Sequence, residues 1–416
     1  MQTFLGFTGR TGTHAGEREM HGLTSTHSDE AAQAAPDGDS IHILVLTDRD
    51  WTHPQGGGTG THLHEQVKFW LDWGHSVTIV AGGYPGALPI EREGNLTIKR
   101  IGSRTTVFPR VIMRGQKSLE PRADVALEVI NGITFLTPLW MDIPRVGMIH
   151  HIHKEHYVRE MGGAGKFAAA ALETIPLKTL YRDTAFLTVS DSTAAEIAEH
   201  GVPREAIQVA HNGVDTSSLQ PGLRAEVPTI LYLGRLKKYK RVEFLLDALD
   251  LVPDAILEIA GDGDNREAIE VEVARRGLGA RVRLHGFVTE EEKVELLQRA
   301  WLNVTASSVE GWSLVALESA ACSTPTVAMR VGGLREAVVD HETGLLSDTR
   351  EQMAANVQRL LLDDDLRAQM GEAARLRSAT FAWERTATLT IEAFRDAMAA
   401  HTPNAKSGGL VGKLRG

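Results

Sequence analysis

The sequence predicts an α/β protein made of two Rossmann-like, doubly wound domains that face each other across a cleft. Two observations predict this fold class. Short apolar runs of strand length alternate with helical patterns, and the order of strand, glycine-containing loop, helix and strand occurs twice along the chain. The length of 416 residues is also sufficient for two domains with separate cores.

The first domain is predicted to span residues 41–215. It opens with an apolar strand at 41–47, a loop that contains Gly56, Gly57 and Gly58, and a helix at 61–73. Further strands are expected at 76–81, 126–130, 146–149 and 185–190, followed by a helix at 192–200. Residues 1–40 lack an apolar stretch long enough for a signal-peptide core, so we expect a disordered leader.

The second domain is predicted to span residues 222–380, after a turn-rich boundary near 212–227. Its first strand, at 229–233, leads directly into Gly234 and Arg235, and a helix is expected at 241–249. Strands follow at 256–260, 281–284, 302–305 and 326–329. A helix at 383–400 is expected to pack on either domain, including back on the first, and residues 401–416 are expected to form a loose tail.

Composition excludes several classes of protein. With 44 Lys and Arg against 54 Asp and Glu, the net charge of −10 argues against a nucleic-acid partner, so any bound anion must be held locally. The single cysteine, Cys322, excludes an intrachain disulfide and is expected to be buried. No apolar run approaches the ~18 residues that a membrane-spanning helix requires, and we expect a cytoplasmic protein. The composition does not predict the oligomeric state.

Two glutamates mark the densest motif. Glu310 precedes a helix expected to begin near residues 311–313, and Glu318 lies further along it, about 12 Å away in the axial direction. Two acceptors at that spacing, with free backbone N–H groups between them, can bind both ends of an elongated anionic ligand such as a nucleotide sugar. The alternative is one Glu favoured by the helix dipole and one solvated Glu.

Arg235 and Lys240 follow the first strand of the second domain, which places both cations on a carboxyl-end loop. Two cations there can neutralise a diphosphate and stabilise the charge that develops on it as a leaving group. A solvated basic turn is the alternative interpretation.

Taken in order, these motifs resemble the retaining GT-B glycosyltransferases of the large family-four group. The second-domain matches are Gly-Arg-Leu at 234–236 with Lys240 after it, the Gly-x-Gly turn at 261–263, Leu-His-Gly-Phe-Val at 284–288, and the glutamates at 310 and 318. In the first domain the segments 57–62, 187–190 and 211–215 also match. The resemblance covers residues 41–400, which leaves only the two ends outside it.

The resemblance implies a nucleotide-sugar site. Arg235 and Lys240 would bind the donor diphosphate, Glu310 would contact the transferred sugar, and His150, after the strand at 146–149, matches the catalytically important histidine of the family. Glu318 would bind the ribose, Val288 the base through its main chain, and the backbone near residue 314 the phosphates. The full set of implied donor-binding positions is Gly57, Gly58, Arg235, Lys240, Val288, Glu310, Ser313, Leu314, Val315 and Glu318.

Two positions depart from the family pattern. The family often has Gly where Ser313 stands and where Arg241 stands. Because a serine can still cap a helix and its residue still offers a backbone N–H, we expect donor binding to survive with a tighter phosphate pocket.

A metal site is an alternative interpretation of the histidines near His150. His150, His151, His153 and His156 are residue types that bind zinc. Consecutive residues point in different directions, however, and the fold class does not require a metal, so no metal is expected. The Gly-Asp-Gly turn at 261–263 lacks the rest of a dinucleotide fingerprint, which disfavours a nicotinamide cofactor.

The acceptor side is less defined. The acceptor-binding candidates are His62, Arg110, Arg114 and Asn131. The basic and apolar segment 104–122 is interpreted as a mobile acceptor-binding loop, a membrane-surface contact or a plain solvated loop. The Ala-rich segment 167–180 has the same ambiguity. Small-molecule and lipid-linked acceptors, with peripheral contact to the inner face of the membrane, are therefore both considered.

The function expected from these features is transfer of a hexose from a nucleotide diphosphate sugar to a hydroxyl acceptor, with retention at the anomeric carbon. The alternatives are a nucleotide-sugar epimerase or hydrolase on the same fold, and a catalytically silent subunit that binds sugar nucleotides. Conversion of the donor without an acceptor would favour the first alternative, and binding without turnover the second.

Overall fold

The computed structural model describes residues 38–154, 157 and 162–401. Most of the expected leader and tail therefore lies outside the described residues. The described chain contains two sheets. The strands of the first are β1 (His42–Leu46), β2 (Ser76–Gly83), β3 (Ile90–Glu93), β4 (Leu96–Ser103), β5 (Val125–Ile130), β6 (Arg145–Ile149), β7 (Ala185–Thr188) and β8 (Ile207–Val209). Those of the second are β9 (Thr229–Leu233), β10 (Ile256–Ala260), β11 (Val282–Gly286), β12 (Leu302–Thr305), β13 (Thr326–Met329) and β14 (Gly344–Ser347).

Helices connect these strands. Those described are α1 (Gly57–Asp72), α2 (Val107–Arg114), α3 (Gln116–Leu119), α4 (Gly163–Ala169), α5 (Ile175–Thr179), α6 (Asp191–Glu199), α7 (Leu246–Leu251), α8 (Arg266–Arg275), α9 (Glu290–Arg299), α10 (Leu314–Ala321), α11 (Leu334–Ala337), α12 (Arg350–Leu362), α13 (Asp364–Ser378) and α14 (Trp383–Ala400). Short 3₁₀ turns cover Thr137–Leu139, Arg204–Ala206, Lys238–Lys240 and Val242–Leu245, and one π turn covers Ala170–Thr174.

The strand orders confirm the predicted fold class. The first sheet runs β3-β4-β2-β1-β5-β6-β7-β8 and the second β11-β10-β9-β12-β13-β14. Every pairing is parallel except the edge pair of β3 and β4. The first lobe is defined here as the first sheet with the helices packed on it, and the second lobe as the second sheet with its helices.

Burial explains the strand sequences. All residues of β5 are buried, as are four of the five residues of β1 and of β9, because helices cover both faces of a parallel sheet. Such strands consist almost entirely of apolar residues, which is why their sequences predicted strands. Each lobe also has a separate apolar core.

Several element predictions are corrected. The helix expected at 61–73 begins at Gly57, so the glycine loop forms its first turn. The helix expected at 241–249 is a 3₁₀ turn over Val242–Leu245 followed by α7. The segment 104–122, for which a mobile loop was one interpretation, contains helices α2 and α3, because Val107 and Val111 are fully buried against the first-lobe core.

Helix α14 packs in the first lobe, although it follows the second lobe in the chain. The Trp70 ring of α1 lies 5.7 Å from the Phe394 ring of α14, centroid to centroid. The Trp70 indole N–H also donates to the Ala387 carbonyl at 3.4 Å. Both aromatic side chains are fully buried, so this contact secures the end of the described chain to the first sheet.

Each sheet has a point where the strand order reverses direction. In the first sheet this point lies between β1 and β5, and in the second between β9 and β12. The loops that leave two such strands diverge and form a crevice at their carboxyl ends, which is where open α/β sheets bind ligands. A ligand site is therefore expected at the residues after β1, β5, β9 and β12.

Candidate active site

The crevice of the second sheet brings Lys240 to Glu310. Lys240 lies on the loop after β9 and Glu310 on the loop after β12, and the Lys240 Nζ lies 2.6 Å from the Glu310 carboxylate. The two side chains are only 16% and 21% exposed. Burial disfavours the Lys240 ammonium, but the Glu310 carboxylate and Tyr239 outweigh that effect and raise the pKa of Lys240. The lysine is therefore a fixed positive charge.

Glu310 is held by the backbone that follows β13. The N–H of Gly333 donates to the Glu310 carbonyl at 2.8 Å. Glu310 lies in the loop before α10 and not in the helix itself, so the axial spacing expected between Glu310 and Glu318 does not apply. Glu318, inside α10, accepts from the Lys293 ammonium at 3.0 Å.

Helix α10 begins beside Glu310. Ser313 is its N-cap, and the Ser313 hydroxyl accepts from the Ala316 N–H at 3.2 Å. Ser313 has an extended backbone with φ −178°, which any residue can adopt, so serine replaces the family's glycine there without strain. The N–H groups of Leu314 and Val315 belong to the first turn, where a helix has no acceptor of its own. An anion at this point can therefore accept from them.

Arg241 explains the other departure from the family pattern. Its φ of 50° lies in the left-handed region that favours glycine. The Arg241 guanidinium donates to the carbonyls of Ala306 and Ser307 at 2.9 Å each and lies 5.1 Å from the Phe244 ring centre. These bonds join the loop after β9 to the loop after β12, which offsets the strain and maintains the spacing that brings Lys240 to Glu310.

Arg235 faces the first lobe. Its guanidinium lies at ordinary contact distance from Gly57, since a Cβ added to Gly57 would stand 3.7 Å from the guanidinium carbon. A Cβ on Gly58 would likewise lie 3.7 Å from the Leu314 side chain. A side chain would therefore have room at Gly57. Glycine is favoured there because its φ of 61° lies in the left-handed region. The predicted glycine loop thus contacts the predicted diphosphate site. Val288, predicted to meet the base, lies half-buried after β11.

His150 lies against Gly311, the residue that follows Glu310. It follows β6, is 8% exposed, and has no hydrogen-bond partner on either ring nitrogen within the described ranges. Burial lowers the pKa of His150 well below its usual range, and neighbouring histidines lower it further. The His150 carbonyl touches Gly311 so closely that a Cβ on Gly311 would stand 1.9 Å from the oxygen. His150 is thus a buried neutral imidazole with unpaired ring nitrogens, and its backbone lies against the loop that carries Glu310.

The histidines after His150 do not assemble into a metal site in the part of the chain that is described, where no group of three candidate ligands occurs. The His151 and His153 rings stack with centroids 4.2 Å apart, and the His153 backbone N–H donates to the buried Glu173 carboxylate. His156 lies outside the described residues.

The expectation that His62 faces an acceptor is corrected. His62 is 2% exposed, and both ring nitrogens contact protein groups, Nδ1 the Asn212 side chain at 2.6 Å and Nε2 the Gln66 side chain at 2.5 Å. Its ring meets the His150 ring edge to face, with the centroids 4.7 Å apart. His62 therefore lies behind His150 rather than at an acceptor surface.

The other acceptor candidates divide into two groups. Asn131, directly after β5, donates to the Asp48 carboxylate at 2.7 Å and so lies at the crevice of the first sheet. Arg110 and Arg114 are exposed on α2, and the structure does not bring them to Lys240 or Glu310.

Two charged residues at the first-sheet crevice, Asp48 and Arg49, were not anticipated. Asp48 and Arg49 follow β1 directly, and Arg49 is 7% exposed. Asp48 accepts from Arg49 at 2.9 Å and from Arg104 at 2.7 Å. Burial lowers the pKa of Arg49 to about 10, an effect that Asp48 opposes and Arg104 and Arg235 reinforce, so the guanidinium stays charged at neutral pH. The run of Asp48, Arg49 and Asp50 immediately after a buried strand is the sequence signal that could have revealed them.

Two family models match the chain. The model described as Glycosyltransferase Family 4 matches residues 56–218, and the model described as Glycosyl transferases group 1 matches residues 215–377. None of the described helices is long and apolar enough to cross a membrane.

Related proteins agree with these matches. A D-inositol 3-phosphate glycosyltransferase of Arthrobacter sp. (strain FB24) is 32% identical over 63% of this chain and 67% of its own length. A glycogen synthase of Mycobacterium tuberculosis is 33% identical over 61% of this chain and 63% of its own. Several other relatives match over little more than half of their length.

Solved structures share the fold. A sucrose-phosphate synthase of Thermosynechococcus elongatus superposes with a TM-score of 0.76 at 21% identity, covering 86% of this chain and all of that one. Anabaena HepE, solved with UDP and glucose, superposes with a TM-score of 0.67 at 16% identity over 86% of this chain and all of its own. At these identities the likeness concerns the fold alone.

Proposed function

The chain belongs to the family-four glycosyltransferases, which transfer a sugar from a nucleotide sugar, and we propose that it moves a hexose to a hydroxyl acceptor with retention at the anomeric carbon. The observation that carries the proposal is the ion pair between Lys240 and Glu310, from two second-lobe loops, beside the backbone contact of Gly311 with His150 of the first lobe. Three separate segments thus meet at this point, and they carry a cation, a carboxylate and a neutral imidazole.

The donor would lie along the second-sheet crevice. Arg235 and Lys240 would bind the diphosphate, with the N–H groups of Leu314 and Val315 on the same phosphates. Glu310 would accept hydroxyls of the transferred hexose, and Glu318, which keeps one oxygen clear of Lys293, would accept from the ribose. The main chain at Val288 would meet the base.

Catalysis would rest on positioning and on stabilisation of the leaving diphosphate. As the bond to the sugar breaks, negative charge grows on the diphosphate, and the Lys240 ammonium is already fixed beside it. His150 would donate to or accept from the hexose, since its two ring nitrogens are among the buried polar atoms that have no hydrogen-bond partner in the described residues. No covalent intermediate is assigned to this site.

The first test is donor binding. We expect one nucleotide sugar from a panel of UDP-, GDP- and dTDP-glucose to raise the unfolding temperature, since a ligand at 100 times its Kd adds about 2.7 kcal/mol to stability. UDP-glucose is the first candidate, because HepE, which shares the fold, has been solved with it. If no member of the panel raises the unfolding temperature, a donor site for these nucleotide glucoses is contradicted.

Product analysis tests the reaction itself. D-inositol 3-phosphate and glycogen, taken from the names of the relatives, are the first acceptors to try. NMR of the anomeric proton should show the configuration of the donor in the product. Inversion would contradict retention, and conversion of the donor without any acceptor would favour an epimerase or hydrolase.

We further propose a peripheral contact with the inner face of the cytoplasmic membrane through the segment 163–179. Phe167 is 80% exposed and Ile175 is 55% exposed, with Lys166 and Lys178 beside them. Exposed apolar side chains next to cations suit an anionic lipid surface. Such a contact would give a lipid-linked acceptor access to the first lobe.

Co-sedimentation with vesicles of anionic phospholipid measures this contact. Binding should weaken as salt is raised and should fall at least several-fold in a Phe167→Ser variant. Leu223→Ser, which changes a 91% exposed side chain elsewhere, is the matched control. The membrane contact would be refuted if the wild type and both variants sedimented equally with the vesicles, or if none of the three proteins sedimented with them.

A further inference from the structure

A line of buried polar side chains, linked by hydrogen bonds, contacts the His150 ring through His62. The Thr390 hydroxyl meets the Gln66 side-chain carbonyl at 2.5 Å, the Gln66 amide nitrogen meets His62 Nε2 at 2.5 Å, and His62 Nδ1 meets the Asn212 side-chain oxygen at 2.6 Å. All four residues are buried, and each is at most 4% exposed. Water cannot replace these partners, so each bond restricts the next side chain.

The line joins three segments that are far apart in sequence. Gln66 and His62 lie on α1, Thr390 on α14, and Asn212 on the connection between the two sheets. With its carbonyl directed at the Thr390 hydroxyl, Gln66 presents its N–H to His62 Nε2, which must then be the unprotonated nitrogen. His62 Nδ1 then carries the proton and donates a hydrogen bond to the Asn212 side-chain oxygen. The ring of His62 is thereby fixed in one orientation.

The fixed ring of His62 lies against the ring of His150. Their centroids are 4.7 Å apart and their planes meet at 88°. His150 makes no hydrogen bond through its ring with any described residue, so packing alone sets the direction of its nitrogens. Its backbone is held separately, by Thr193, whose hydroxyl donates to the His150 carbonyl at 3.3 Å, and by the contact with Gly311.

We propose that His62, fixed by Gln66 and Asn212, is the positioning residue that holds the His150 imidazole in its working orientation. This proposal rests on the role of His150 in the proposed function. His62 itself touches no ligand in this arrangement, because it is buried behind His150. Burial also lowers the pKa of His62 to about 4, although Asn212 opposes the effect, so no charge is added beside His150 at neutral pH.

The experiment is a double-mutant cycle on His62→Ala and His150→Ala. Turnover is measured as release of nucleoside diphosphate from the nucleotide glucose that stabilises the chain most. We expect His62→Ala to lower kcat by about 10²-fold, as a misplaced reacting group does, at nearly unchanged donor KM. In the His150→Ala background the same change should have no further effect, because residues that act as one unit are not additive.

Controls separate positioning from stability. Thr386→Val removes a buried hydroxyl from the same helix as Thr390, but that hydroxyl donates to the His211 carbonyl and not to Gln66, so kcat should be unchanged. If His62→Ala fails to fold, Gln66→Leu, which leaves His62 and Asn212 in place, is expected to lower kcat by about 10-fold.

Each failure has a separate signature. Full turnover by His150→Ala would contradict the proposed role of His150. Loss of turnover by His150→Ala with full turnover by His62→Ala and Gln66→Leu would overturn the positioning role alone. Additive losses in the double variant would also overturn it, since His62 would then act independently of His150.

Discussion

Replacing Lys240 with methionine is expected to lower sugar transfer by about 10²–10³-fold, which is the usual effect of removing one preorganised group from a developing anion. Methionine keeps an unbranched stem and loses only the ammonium. The Lys240 ammonium is 2.6 Å from Glu310 and 16% exposed, so water cannot take its place as effectively as at an open surface. The loss should be in kcat more than in donor KM if the charge matters most in the transition state.

Lys237→Met is the matched control. Lys237 lies on the same loop after β9, but it is 40% exposed and pairs with Asp264, which is 68% exposed. Exposed pairs contribute about 0–1 kcal/mol, so this variant should keep turnover within about two-fold. Initial rates and thermal unfolding are measured for both variants. Near-full turnover by Lys240→Met, or equal losses in both, would contradict the assigned role of Lys240.

The fold class was predictable because parallel strands covered on both faces consist almost entirely of apolar residues. The strand β5, from Val125 to Ile130, shows this. The edge strand β3, from Ile90 to Glu93, has no fully buried residue, and its partner β4 alternates between buried and partly exposed residues. Their mixed sequences carried too weak a signal, and both strands were missed.

The second-lobe site was predictable from the sequence for a local reason. Arg235, Lys240 and Glu310 follow buried strands within a few residues, so strand prediction alone puts them at a carboxyl edge. The contact between Lys240 and Glu310 depended on the order of β9 and β12 in the sheet, which no short motif contains.

The first-lobe assignments were weaker because the partners are distant in sequence. His62 pairs with Asn212, 150 residues away, and Gln66 pairs with Thr390, 324 residues away. When those partners are not known, a histidine one turn into a helix is predicted equally well to be a surface residue. Arg49 was overlooked although its partner Asp48 is adjacent in sequence, because arginine is rarely buried in proteins.

Replacing Gly311 with alanine is expected to lower turnover by about 10²-fold, because the added methyl group separates the two halves of the site. Its Cβ would stand 1.9 Å from the His150 carbonyl oxygen, and the backbone fixes the positions of both atoms, so side-chain rotation cannot relieve the overlap. The Gly311 carbonyl is itself packed against Gly333, so the second-lobe loop cannot retreat freely. The first lobe must therefore move away from Glu310.

That movement is opposed elsewhere between the lobes. The Glu336 carboxylate, from the second lobe, accepts the backbone N–H groups of Asp191 and Ser192 at the start of α6 in the first lobe, at 2.7 and 2.8 Å. With this contact in place, the methyl group can be accommodated only by a local opening between His150 and Glu310. The groups proposed to bind the diphosphate through charges and helix N–H groups, together with those for the ribose and the base, all lie on the second lobe, so stabilisation by the nucleotide sugar should largely persist.

Gly279→Ala is the control, because a Cβ at Gly279 meets no atom within 4 Å and its φ is not positive. The two variants are compared by donor-induced thermal shift and by kcat. Gly311→Ala should keep the shift and lose turnover, whereas Gly279→Ala should keep both. Wild-type turnover by a folded Gly311→Ala protein would mean that the contact between His150 and Gly311 is dispensable, and that transfer does not require the two lobes to meet there.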